Sequence, residues 1–123
     1  MRVHHIAIQV RDLERARTFY VDVLGLPEVR RQPHAIWVDA DGTLLMLEKC
    51  MDASDAPPWK HMRAGLHLLA LAIAPHERAA WRARLAKAGA PLEGETGFTL
   101  YTRDPDGTRI GLSSYPETAL DPT

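Results

Sequence analysis

An α+β fold built from two βαβββ modules is what this 123-residue sequence predicts. Three observations carry that expectation. An alternating apolar segment near the N-terminus leads into a segment of helical period. Strand-like segments joined by an Asp-Gly turn come next. The same order then runs a second time in the other half of the chain.

The first module opens with His5-Ile6-Ala7-Ile8-Gln9-Val10. Ile6, Ile8 and Val10 share one face, and His5, Ala7 and Gln9 the other, as in a strand buried on one side. Asp12 is placed to cap a helix carried by Leu13, Ala16, Phe19, Tyr20, Val23 and Leu24. Gly25 ends that helix and Pro27 forbids its simple continuation. Strands are expected at Glu28 to Arg31, Ala35 to Asp39 and Thr43 to Lys49, the last two joined by Asp41-Gly42.

The second module opens with the apolar segment Leu66 to Ile73. Pro75 suits the first turn of a helix that carries Trp81 and Leu85 and ends at Gly89. Phe98 to Arg103, the turn Asp104-Pro105-Asp106-Gly107 and Thr108 to Ser114 supply the remaining strands. The repeat shows in the numbering. His67 follows His5 by 62 residues and Trp81 follows Phe19 by 62. Glu77 follows Glu14 by 63, and Gly107 follows Gly42 by 65. The expected organisation is a single domain over 1–123. Its repeats span about 1–50 and 64–115, with a proline-bearing linker at about 51–63 and a tail at 116–123. One helix covers one face of each sheet. The uncovered faces are expected to curl into a barrel-like mixed sheet with the helices outside, in one chain or across a homodimer.

Composition narrows the function. Apolar residues make up 46% and charged residues 25% of the chain, as in ordinary globular proteins. Fifteen Lys and Arg against 16 Asp and Glu leave a formal charge of −1, with no global attraction to nucleic acid or anionic membrane. Leu66 to Ala74, the longest apolar run, is too short to span a bilayer. No secretory core follows the N-terminus, and Cys50 is the sole cysteine, so a reducing cytoplasm is expected.

Candidate chemistry lies on the uncovered face. His5 and His67 open the two modules, and Glu48 follows the apolar Leu44 and Met46 on the same strand face. Two imidazoles and a carboxylate suit zinc, nickel, iron, cobalt or manganese. Trp37 and Tyr101 on strands, Trp59 in the proline-bearing stretch and Arg103 before the last turn are candidates for binding a small-molecule substrate.

Several stretches resemble the vicinal oxygen chelate superfamily, which includes glyoxalase I, fosfomycin-resistance enzymes, extradiol dioxygenases and bleomycin-resistance proteins. They are His5 to Leu13, Phe19-Tyr20, Leu24-Gly25-Leu26, Leu47-Glu48, Leu66-His67 and Asp104 to Ile110. The resemblance implies that His5, Glu48 and His67 hold a divalent metal. A fourth ligand, a glutamate in the family, falls at Gly111 here, with Ser113 two residues on. It also implies a homodimer and, with the metal, lyase or isomerase chemistry of glyoxalase type, in which the proton acceptor is Glu48, a metal-bound hydroxide or another group. A dioxygenase fits less well, because its carboxylate comes from the position of Gly111. The competing expectation is a bleomycin-resistance-like protein that binds a small molecule without chemistry.

Overall fold

The computed structural model describes residues 1–51 and 64–118. Trp59 and most of the expected linker lie outside the described residues. The chain divides into two compact units, Met1–Asp55 and Ala56–Thr123. Each holds one four-stranded mixed sheet in βαβββ order, so the α+β class and the doubled module of the sequence are both seen.

In the first unit β1 is His5–Val10 and β4 is Thr43–Lys49, paired in parallel, with His5 opposite Leu44 and Gln9 opposite Glu48. β3, Ala35–Ala40, runs antiparallel to β4, and β2, Glu28–Gln32, lies at the edge. The turn between β3 and β4 puts Asp41 at φ 53 and Gly42 at φ 103. The Asp39 carboxylate accepts the Gly42 N–H there at 2.8 Å. Positive φ is cheap for glycine and tolerable for aspartate, which is why this dipeptide marks the hairpin.

The expected helix after Asp12 is divided. α1 covers Leu13–Arg17, capped by the Asp12 carboxylate, which accepts the Arg15 N–H at 3.0 Å. A π turn, Thr18–Val23, follows, in which the Leu24 N–H reaches the Phe19 carbonyl five residues back at 2.9 Å. Widening the helix there lets the adjacent Phe19 and Tyr20 both face the sheet, 5% and 0% exposed. They pack with Ile8, Val10, Ile36, Val38, Leu45 and Leu47, all on the covered face.

In the second unit the order is β5, Leu69–Ala72, then a 3₁₀ turn at Pro75–Glu77, then α2, Arg78–Lys87. β6 is Gly94–Glu95, β7 Thr99–Arg103 and β8 Arg109–Ser113, with β5 parallel to β8. Leu85 of α2 is buried, as are Leu100, Ile110 and Leu112 of the sheet. Two expectations need correction. The strand read at Leu66 to Ile73 begins only at Leu69, so His67 lies outside it. The two-residue β6 is too short for an alternation signal, so the sequence did not reveal it.

Candidate functional site

Among the described residues, each unit has its helical segments on one face of its sheet and none on the other. In the first unit the register arranges that face in rows. Gln9, Glu48, Ala35 and Gln32 form one row across β1, β4, β3 and β2. Ala7, Met46, Trp37 and Arg30 form the next, and His5, Leu44 and Asp39 the one beyond. Trp37 stands near the middle, half-buried, as are its neighbours Leu44, Met46 and Glu48. Its indole N–H donates to Gln32 Oε1 at 2.8 Å. The His5 ring meets it edge-on, 5.1 Å between centroids. Two partners thus hold the indole in one orientation.

His5 and Glu48 share this face but not a row. Four residues separate them in register, about 13 Å along the strands at about 3.3 Å per residue. Ala7 and Met46 lie between. Metal-bound nitrogen and oxygen atoms each stand about 2.0–2.2 Å from the ion, so they must come within about 4 Å of each other. Side chains standing side by side off a sheet do not converge across the row of Met46. His5 Nδ1 is also 2.9 Å from Nδ1 of His4.

The second unit's open face carries Thr99, Tyr101 and Arg103 from β7, Arg109, Gly111 and Ser113 from β8, and Ala70 and Ala72 from β5. Arg109 lies over the Tyr101 ring, 4.3 Å from its centroid. Glu93 accepts hydrogen bonds from Nε of Arg103 at 2.9 Å and Nε of Arg109 at 3.1 Å. Burial works to raise the Glu93 pKa, but the two guanidinium groups outweigh it and hold the carboxyl below its usual range. Arg103 also donates from Nη1 to the Gly107 carbonyl at 2.8 Å, so two of its three guanidinium nitrogens serve the fold. His67 Nε2 is 3.2 Å from Nη1 of Arg109. Guanidinium can only donate, so that ring nitrogen accepts and its lone pair is engaged.

The two registers also show which positions correspond. Ala7 pairs with Met46 in the first unit, and Ala70 pairs with Gly111 in the second. The counterpart of Gly111 is therefore Met46, and that of Glu48 is Ser113. Ile6 and Ile8 match Leu69 and Leu71 on the covered faces, which makes Leu68 the counterpart of His5. A side chain at Gly111 would point at Leu68 and Thr99, which confirms the face they share. The positions that correspond to one another, Met46 with Gly111 and His5 with Leu68, thus pair a thioether with a hydrogen and an imidazole with an isobutyl group. Among the described residues, no three His, Cys, Asp or Glu side chains gather closely enough to hold a metal ion. The described donors within either unit do not fit a divalent metal.

Sequence reasoning missed Gln32 as the partner that orients Trp37. Its place opposite Ala35, beside the aromatic strand, was the available signal. A groove of about 670 Å³ at the end of the first sheet is lined by Arg11, Asp12, Glu14, Arg31, Ile36 and Lys49, among others. Asp12 caps α1, and Arg31 pairs with Glu14 and Glu28, so these charged walls serve the fold.

Comparison with known proteins accords with this architecture. A glyoxalase/dioxygenase from Nostoc punctiforme is 26% identical, with a TM-score of 0.80 over 94% of this chain and 92% of that one. A lactoylglutathione lyase from Agrobacterium tumefaciens is 21% identical, with a TM-score of 0.69 and coverage of 93% of each chain. A fosfomycin resistance protein from Listeria monocytogenes, complexed with Mn(II) and a dihydroxypropylphosphonic acid, is 16% identical. Its TM-score is 0.77, over 92% of this chain and 91% of that one. The last two likenesses speak to the fold alone. No curated protein matches the chain. A family model matches residues 2–112, and the chain belongs to the glyoxalase/bleomycin resistance protein/dioxygenase superfamily.

Proposed function

We propose that this chain is a ligand-binding member of its superfamily, taking a small organic molecule onto the open face of the first sheet without a metal centre. The carrying observation is Trp37. It is a half-buried indole on a face that no described helix of its own unit covers, oriented by Gln32 and His5 beside Met46 and Leu44. A ring already held in place loses little freedom when a flat ligand stacks on it. Met46 adapts its unbranched thioether to the ligand's outline, and Leu44 adds apolar area. Tyr101, whose ring lies under Arg109, is a second aromatic surface of the same kind.

The lyase or isomerase expected from the sequence needs His5, Glu48 and His67 on one ion. The row spacing of His5 and Glu48 and the engaged Nε2 of His67 both weigh against it. The cytoplasmic homodimer expected from the sequence belongs to this proposal, as does the absence of a nucleic-acid or membrane partner. No helix among the described residues is long and apolar enough to cross a membrane.

The test is titration of the protein with 2-naphthylmethanol while the three tryptophan indole N–H signals are followed by NMR. The Trp37 signal, assigned by its loss in Trp37→Phe, is expected to move most, and Trp37→Ala to weaken binding about tenfold or more. An unmoved Trp37 signal would contradict the reading.

A further inference from the structure

We propose that the ligand of this face carries a protonated nitrogen on a flat apolar body, and that Glu48 is the residue that selects it. This rests on the binding reading above and names the ligand class. Glu48 is half-buried, and its carboxylate has neither an ion pair nor a hydrogen bond among the described residues. Its own row supplies no charge, with Gln9 on one side, Ala35 on the other and Gln32 beyond. The other acidic residue of the face, Asp39, uses Oδ1 to accept the Gly42 N–H. Arg30 is exposed on the edge strand, in the row of Trp37 rather than that of Glu48.

A partly desolvated carboxylate among neutral neighbours is costly to keep and gains most from a cation that replaces lost water. Glu48 and Trp37 are diagonal neighbours across β4 and β3, with Cα atoms about 7–8 Å apart by sheet geometry, within reach of long and aromatic side chains. Ala35, a small buried residue, stands opposite Glu48 and two residues from Trp37 on β3. A ring stacked on the indole therefore carries an aminomethyl substituent towards Glu48. The indole face itself also attracts cationic character.

Three probes of one shape separate the terms: 2-naphthylmethylamine, 2-naphthylmethanol and 2-naphthoate, titrated at neutral pH against the Trp37 indole signal. The amine is expected to bind about tenfold more tightly than the alcohol, and the carboxylate most weakly. Raising salt should weaken the amine and leave the alcohol unchanged in the unaltered protein. Glu48→Gln should bring the amine to the affinity of the alcohol while the alcohol keeps its own. Tighter binding of the carboxylate, or an amine preference that survives both salt and Glu48→Gln, would overturn the assignment and leave the binding reading standing. If none of the three moves the Trp37 signal, both fall together.

Discussion

A Cβ built on Gly111 meets the Thr99 methyl at 3.2 Å and Cδ1 of Leu68 at 3.4 Å. Thr99 has little freedom to turn aside, because its hydroxyl is bonded to Ser113 Oγ at 2.8 Å. The position where the family resemblance implies a glutamate ligand is thus tightly bordered and has no room held open for a carboxylate. Gly111→Glu is expected to cost about 1–3 kcal/mol in urea unfolding, as overpacking does. It should also leave the chain without metal, since the neighbours a side chain there meets, Thr99, Leu68 and Ala70, include no imidazole or carboxylate. A variant of unchanged stability that acquires a tightly held ion would contradict this. Trp37 is the opposite case, a large half-buried side chain whose plane two neighbours fix.

At the scale of the elements, carboxylates tie helical segments and strands together. Glu28 of β2 accepts from Arg17 at 2.9 Å and from Arg31 at 3.0 Å. Glu95 of β6 pairs with Arg82 and Arg78 of α2, and Glu93 joins Arg103 of β7 to Arg109 of β8. All three carboxyls are held below their usual range: Glu28 chiefly by Arg31, Glu95 chiefly by Arg82, and Glu93 by its two arginines against burial. A pKa lower in the folded chain than in the unfolded one, about 4.3, adds stability that is fully present above that value. The contribution is lost as pH falls through the folded values. The urea midpoint is therefore expected to stay level from about pH 7 to 5 and to drop below about pH 4. A midpoint that holds level into strong acid would show that these pairs do not contribute. Much at this scale was legible in the sequence. β4 has the expected bounds of Thr43 to Lys49, because Asp41-Gly42 marks its start and alternation marks its length. The π turn was not legible, because a helical period through Phe19 and Tyr20 reads alike whether or not one turn is widened. The site was less legible than the fold. Matching His67 to His5 at 62 residues slips one residue from the 63 that relates Glu77 to Glu14, and a one-residue slip in a strand exchanges its faces. Applying 63 to β1 and the 65 of the turns to β4 would have pointed to Leu68, Gly111 and Ser113 from the numbering alone.

Across the whole molecule, one duplicated module carries two differently furnished open faces. The first offers an indole, a thioether and a carboxylate without a partner among the described residues, and the second a Tyr101-Arg109-Glu93-Arg103 network that bonds chiefly within itself. The shared fold does not dictate the chemistry; the side chains on those faces do. The most direct test is the metal content of untagged protein dialysed against zinc, manganese and nickel in turn, then freed of loose ions. The same measurement is made on His5→Ala and His67→Ala. The expected result is well below one ion per chain in all three proteins. Close to one ion per chain, lost in both histidine variants, would contradict the account.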